Sequence, residues 1–138
     1  MSKFKKTDDL YRAYLKKKRG LRCELCNTPQ AMLSFPLSVF HILSKGAEPR
    51  LRYDEWNTLL TCWTPRESRA CHNIWHGSGH NDWNDHRKKE IKQKICKLRG
   101  YATWQALRED LKIRARIAKK VDLKMLNIFY MQALKNIK

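Results

Sequence analysis

Four of the five cysteines lie between positions 23 and 71, where their spacing suits metal binding. Cys23 and Cys26 form a Cys-x2-Cys pair, which lets two thiolates at a tight turn reach one ion. Cys62 and Cys71 are the candidate second pair, and the eight residues between them must loop out. Four such thiolates would hold a structural zinc ion and stabilise a segment too short to fold on a core alone. The alternative is that Cys62 or Cys71 is an ordinary buried thiol, which is also our interpretation of Cys96.

Three of the five histidines fall between positions 41 and 76, in or directly after the cysteine segment. His72 and His76 are four residues apart, so on a helix both imidazoles share one face and can bind one cation. His41 follows a short apolar run. His80 lies one further helical turn along and could complete a metal site, but His80 and His86 could equally be exposed or contact phosphate.

Two short strands and a helix are predicted to position these side chains. The stretch from Val39 to Leu43 has the β-branched and aromatic character of a strand, and Pro36 and Gly46 punctuate it on both sides. A second strand is predicted from Thr58 to Cys62. The helix that carries the two spaced histidines is predicted to begin at Cys71.

Helices are predicted on both sides of this central stretch. The first has Thr7 as its N-cap, Asp8 and Asp9 in its first turn, and Gly20 at its end. Its apolar stripe consists of Leu10, Tyr11, Tyr14 and Leu15.

Three further helices are predicted after position 80, with caps at Asp82 or Asn81, at Thr103 and at Asp122. Their apolar stripes are Ile91, Ile95 and Leu98; then Trp104, Leu107 and Leu111; then Leu126, Phe129, Tyr130, Ala133, Leu134 and Ile137. The last stripe predicts either core packing or contact with a second subunit, so a homodimer through this helix is one expectation.

The formal net charge of +17 is concentrated at the two ends of the chain. Residues 1–22 carry nine Lys/Arg against two Asp, residues 87–138 carry sixteen against four acidic residues, and residues 23–86 are slightly acidic. Clustered cations gain free energy by releasing counterions from phosphates, so a nucleic acid is the expected partner; the alternative is a solvated face that keeps the protein in solution. The candidate contacts are Lys16, Lys17, Lys18, Arg19, Lys45, Arg50, Arg52, Arg87, Lys88 and Lys89.

Length and hydropathy bound the remaining possibilities. At 138 residues the chain is expected to be one α+β domain, with a basic helix over 1–22, a zinc core over 23–80 and a basic helical extension over 81–138. No run of 18 apolar residues is present, and no secretory signal is visible. We therefore predict a cytoplasmic protein with no membrane association.

The combined spacing between positions 23 and 76 resembles the HNH endonuclease family. The resemblance rests on Cys-x2-Cys, an apolar-flanked histidine at His41, an asparagine at Asn57 three residues before Leu-x-Cys, and Cys-His-x3-His. The run from His41 to Tyr53 is also similar to phage recombination nucleases of the NinG (Rap) kind. The resemblance implies a hairpin and helix around one metal ion, and DNA in preference to RNA as the substrate.

By this resemblance, His41 would be the general base, and Asn57 would hold the loop that orients it. His72 and His76 would hold Mg2+ or another divalent ion, and the cell would be bacterial or phage-infected, with a role in recombination or DNA processing. Many members place a third ligand immediately before the base, where this chain has Phe40. A phenyl ring cannot ligate a metal, so a nucleic-acid-binding protein with little catalysis is the alternative function.

Overall fold

The computed structural model describes residues 2–64, 70–76 and 82–136, and it confirms a mixed α+β architecture. The helices are α1 (Lys5–Arg19), α2 (Cys71–His76), α3 (Asp82–Arg99), α4 (Trp104–Ile117) and α5 (Leu123–Asn136). The strands are β1 (Ser38–His41) and β2 (Thr58–Thr61), and three single 3-10 turns are Gln30–Met32, Pro49–Leu51 and Glu55–Asn57. Within the described ranges, none of the helices has the length and apolar character needed to span a bilayer.

The two strands form an antiparallel hairpin at the centre of the molecule. Ser38 pairs with Thr61, and His41 pairs with Thr58 at the other end of the ladder. The first strand is shorter than predicted because the backbone N–H of Leu43 donates to the Asn57 side chain (2.8 Å) instead of continuing the ladder. Every residue of β2 is buried, so this strand lies inside the core.

The first helix begins two residues earlier than its predicted cap. Phe4 is the N-cap and makes no capping hydrogen bond through its side chain, so the prediction of Thr7 as the cap is wrong. Thr7 is fully buried, and its hydroxyl donates to the amide oxygen of Asn127 on α5 (2.6 Å). Gly20 ends the helix as predicted, with a φ of +94° that favours glycine.

The C-terminal helix packs on α1 of the same chain. Tyr130 is buried, and its ring centroid lies 5.4 Å from that of Tyr11 and 5.2 Å from that of Tyr14. Phe129 and Ile128 stay more than half exposed, although the Phe129 ring also meets Tyr14 edge-on at 6.1 Å. The apolar stripe thus belongs mainly to the core, and the homodimer stays a prediction.

After the hairpin, the predicted caps of α4 and α5 are confirmed, whereas the α3 cap predicted at Asp82 or Asn81 lies outside the described side chains. Among the described members of the predicted stripes, Leu98 and Phe129 are exposed, and Ile137 lies outside the described residues. The Thr103 hydroxyl accepts from the N–H of Ala106 (3.1 Å), and Asp122 accepts from Met125 (3.1 Å). Leu98 was expected inside but is 49% exposed, because the inward position in the last turn of α3 is taken by Arg99.

Candidate functional site

The four predicted cysteines come together in one cluster. The sulfur atoms of Cys23, Cys26, Cys62 and Cys71 all lie within 4.8 Å of one another. The Cys26 and Cys62 sulfurs are 3.7 Å apart. Tetrahedral zinc with Zn–S bonds of about 2.3 Å separates its sulfur ligands by about 3.8 Å. The cluster therefore has the dimensions to hold one metal ion such as zinc.

Local structure brings each sulfur to this point. The turn at the first pair is closed by a hydrogen bond from the Asn27 N–H to the Cys23 carbonyl (2.8 Å), with Asn27 at a φ of +64°. Cys62 comes directly after β2, and Cys71 is the first residue of α2. Backbone N–H groups of Cys26 and Cys71 point at the Cys23 and Cys62 sulfurs (3.4 and 3.3 Å), as suits thiolate ligands.

The electrostatics of the cluster favour a cation. Hydrogen bonds from the Cys62 and Cys71 thiols lower the pKa of Cys23 well below its usual range. Its thiolate in turn raises the pKa of both Cys62 and Cys71. Without a metal, the cluster thus accepts one negative charge easily and resists more. A bound dication removes that repulsion and favours all four thiolates.

His41 lies on the face of the hairpin that is turned toward α1. It lines a cavity of about 150 Å³ together with Asp8, Arg12, Lys45 and Arg52. Its Nε2 is 2.9 Å from the Arg52 carbonyl oxygen. Because a carbonyl can only accept, the neutral ring carries its proton on Nε2, and Nδ1 is the nitrogen that can take up a proton.

The surroundings keep His41 neutral. Burial lowers the pKa of His41 from 6.5 to about 4, and the positive charges of Lys45 and Arg52 act in the same direction. The hydrogen bond to the Arg52 carbonyl opposes this shift but does not reverse it. At neutral pH the imidazole is therefore an unprotonated base.

Asn57 stabilises the loop that carries Arg52, whose carbonyl is the hydrogen-bond partner of His41. The side chain is fully buried, accepts from the Leu43 N–H (2.8 Å), and donates to the carbonyls of Leu43 (3.0 Å) and Leu51 (3.3 Å). Arg52, whose carbonyl orients His41, follows Leu51 directly. The amide thus joins the two ends of the loop between His41 and its hydrogen-bond partner.

His72 lies on the opposite face of the hairpin, toward α2. Its Nδ1 is 2.7 Å from the Ser38 hydroxyl and 3.5 Å from that of Thr61. The fully buried Phe40 ring meets His72 edge-on, with centroids 5.7 Å apart, and meets Trp75 at 5.4 Å. Side chains alternate along a strand, so Ser38 and Phe40 face α2 while His41 faces α1.

The remaining histidines add no ligand to this arrangement among the described side chains. His76 ends α2, and its side chain lies outside the described residues, as does all of His80. His86 is exposed on α3, with Nε2 2.7 Å from a Glu90 carboxylate oxygen. Apart from the cysteines, the described residues contain no group of three or more His, Cys, Asp or Glu arranged around one point.

The predicted basic contacts have different surroundings. Arg19 is mostly buried and donates to the carbonyls of Thr58 (2.8 Å) and Glu55 (2.6 Å), so it stabilises the fold instead of facing solvent. Lys18 pairs with Glu55 (2.7 Å), and the terminal nitrogen of Lys17 lies 3.5 Å from the Leu134 carbonyl. Lys16 is partly buried, and this burial lowers its pKa.

The other predicted basic residues fall into two groups. Lys45, Arg50 and Arg52 line one cavity between the hairpin loop and the start of α5. Arg87 pairs with Glu90 (2.7 Å) on α3, where Lys88 and Lys89 follow it.

Two polar residues that hold the hairpin were missed from the sequence. Arg99 donates to the Thr58 carbonyl (2.7 Å), beside Arg19. Glu24, inside the first cysteine pair, accepts from the Leu60 N–H (2.6 Å) and from Arg19 (3.2 Å). In the sequence, the one indication that Glu24 points inward is its position between the candidate metal ligands Cys23 and Cys26.

Comparisons of the chain with protein-family models, curated proteins and solved structures find no match. The cysteine cluster can bind a metal but has all four ligand positions taken by sulfur, as in a closed structural site. The His41 cavity places a neutral imidazole beside three cationic side chains and two carboxylates, so it contains a base that can accept a proton.

Proposed function

We propose that the chain is a metal-dependent DNA endonuclease of the HNH type that hydrolyses phosphodiester bonds with His41 as general base. The observation that carries this proposal is the state of His41. Its Nε2 donates to the Arg52 carbonyl, its Nδ1 is available as an acceptor, and its low pKa keeps it unprotonated at neutral pH. An attacking water must lose a proton as it bonds to phosphorus, and a neutral imidazole can accept that proton.

The charges around His41 suit an anionic substrate. Arg12, Lys45 and Arg52 line the same cavity with Asp8 and Asp9. Arg12 pairs with Asp9 (3.1 Å) and Arg52 with Asp8 (2.6 Å), so Lys45 supplies the net positive charge that would attract a phosphate. A bound phosphate would also raise the pKa of His41 toward the working pH, because a nearby anion favours the protonated imidazole. This makes the base stronger when the substrate is present than when it is absent.

The fit of the chain to a catalytic metal is incomplete. His72 and His76 are the residues that would hold a divalent ion, which when bound would neutralise charge on the leaving 3′ oxygen. Two features weigh against them: Phe40 packs on His72, and His41 faces the other side of the hairpin. The proposal therefore rests on His41 and Asn57 and not on a metal geometry.

The experiment compares the zinc-loaded protein with His41→Ala on plasmid and branched DNA in Mg2+ or Mn2+. His86→Ala is the matched control, since His86 is an exposed histidine on α3. We expect the rate to fall by roughly 100-fold or more in His41→Ala, which is typical for loss of a general base, and to stay unchanged in the control. Equal rates in all three proteins would refute the proposal.

A second function is favoured by Phe40 alone. Because its ring packs in the place where a third ligand was expected, the hairpin could serve as a zinc-stabilised scaffold that binds nucleic acid without cutting it. The same assay decides between the two functions. Tight binding with no cleavage in any divalent metal would support the scaffold and exclude the endonuclease.

A further inference from the structure

A basic groove runs from the His41 cavity toward the start of α5. We define the basic groove by Lys3, Lys45, Arg50, Arg52 and Lys120, which line a cavity of about 540 Å³ with Phe4, Pro49, Val121 and Leu123. It adjoins the His41 cavity, because Lys45 and Arg52 line both. Neither Lys3 nor Lys120 was among the contacts predicted from sequence.

We propose that the basic groove binds the phosphate backbone of one DNA strand next to the phosphate that His41 acts on. The proposal rests on the proposed function and names its substrate as a strand of several nucleotides rather than a mononucleotide. The His41 cavity of about 150 Å³ has room for a phosphate group, whereas the groove, at about 540 Å³, offers further cations beyond it.

Most cations of the groove form no ion pair within the described residues. The cations come from three separate segments: the N-terminus, the loop between the strands, and the α4–α5 connection. Arg52 pairs with Asp8 (2.6 Å), but Lys3, Lys45 and Lys120 have no carboxylate partner within the ranges the structure describes. Like charges held together repel one another, so an anion bound among them gains free energy.

The groove is held in shape by contacts within the fold. Arg50 donates to the carbonyl of Ala118 (3.0 Å), which fixes the connection that carries Lys120. The guanidinium of Arg52 stacks on the Phe4 ring at 4.0 Å and pairs with Asp8 through two hydrogen bonds (3.0 and 2.6 Å). Fixed cations lose little entropy when they bind phosphate.

The groove continues beyond Lys120. A neighbouring cavity of about 440 Å³ shares Arg50, Lys120 and Val121 with it and adds Lys119. Two carboxylates also line it, of which Asp54 pairs with Arg114 (2.8 Å) and Asp122 caps α5. The lining of the groove combines apolar side chains with the cations, and such a surface can pack against sugars while the cations contact phosphates. The end of α1 offers no comparable track, since Arg19 and Lys18 are bonded to Glu55 and to backbone carbonyls.

The test measures binding separately from cleavage. The full zinc-loaded chain carries His41→Ala, no divalent metal is added, and the fluorescence anisotropy of a labelled 20-nucleotide DNA strand is followed over a range of salt concentrations. The groove variant adds Lys45→Gln and Lys120→Gln. The matched control adds Lys97→Gln and Lys135→Gln, which remove the same charge from exposed positions outside the groove.

We expect the groove variant to lose roughly tenfold or more in affinity at 0.1 M salt, and its slope of log K against log salt to become less steep by about 1.4. The control should change little. An equal loss in the control, absence of binding in the parent protein, or competition by a mononucleotide at equal concentration would each overturn the proposal. Groove-dependent binding by a protein that never cuts DNA would support the groove and refute the endonuclease.

Discussion

The cysteines and the histidines come from overlapping segments, yet only the cysteines meet. Cys62 and Cys71 bracket the end of β2 and the start of α2, and their sulfurs join those of the first pair within 4.8 Å. His41 and His72 are instead separated by the hairpin. Ser38 and Phe40 approach His72 on one face, and His41 lines a cavity with α1 on the other.

The difference shows which placements are local and which depend on the whole fold. A Cys-x2-Cys turn by itself places two sulfurs close together. Cys62, at the end of a strand, and Cys71, at the start of a helix, need only one further contact to bring their sulfurs to that pair. A histidine within a strand takes the face that its position dictates, and the helix covering that face decides its surroundings. The covering of the His41 face by α1 could not be deduced from the spacing of metal ligands.

The largest expected effect comes from breaking the cysteine cluster. Replacing Cys62 by Ser should remove the zinc and unfold the hairpin region, because structural zinc contributes on the order of 10 kcal/mol, as much as the net stability of a typical domain. The measurements are metal content by mass spectrometry after dialysis and thermal unfolding by circular dichroism. We expect about one zinc per chain in the parent protein and none in the variant.

Cys96→Ser is the matched control for this prediction. Cys96 is buried on α3 outside the cluster, so its variant should keep the zinc and lose far less stability. If Cys62→Ser unfolds at the same temperature as the parent protein, or if the parent protein binds no metal, the prediction that the cluster has a structural role is wrong.

Much of the central fold could be predicted from the sequence. β-branched and apolar runs gave the two strands, the cysteine pairs gave the cluster, and the caps at Thr103 and Asp122 were placed correctly. Each of these features depends on local geometry or on a short repeat of residue types. The role of Thr7 was mispredicted because its burial depends on Asn127, which lies 120 residues away.

The inward arginines could not have been predicted. Arg19 and Arg99 end two helices rich in Lys and Arg, and nothing in either run distinguishes these residues from their exposed neighbours. They converge on the Thr58 carbonyl only because α1 and α3 both end beside the start of β2. The basic groove was partly predicted through Lys45, Arg50 and Arg52, but Lys3 and Lys120 are brought in by tertiary packing.

A smaller but still large effect is expected at Asn57, on the His41 side of the comparison. Asn57→Ala would leave the Leu43 N–H and the carbonyls of Leu43 and Leu51 without their partner. Unsatisfied buried groups cost about 1 to 3 kcal/mol each, so we expect the free energy of unfolding to fall by about 4 kcal/mol. Urea unfolding monitored by tryptophan fluorescence measures this.

Asn57→Asp separates the two kinds of hydrogen bond. The carboxylate can still accept from the Leu43 N–H but can no longer donate to either carbonyl, so its loss of stability should be at least as large as that of Asn57→Ala. Zinc content should stay the same in both variants. Loss of zinc in either would mean that the two sides of the hairpin are not independent.

The smallest effect is the pH dependence that His41 gives to folding. Its pKa is lowered by burial from 6.5 to about 4, so between these values the unfolded chain binds a proton that the folded chain does not. Stability contributed by the neutral ring is therefore complete above pH 6.5 and is lost as the pH falls toward 4, by about 3 kcal/mol in total. As the pH is lowered from 7 to 4, the urea midpoint of unfolding should fall steeply in the parent protein and in His86→Gln, and less steeply in His41→Gln. Because acid also protonates the cysteine ligands, only the difference between His41→Gln and the parent protein measures the contribution of the His41 imidazole to the pH dependence of stability. Identical profiles would mean that His41 is not buried as the structure shows.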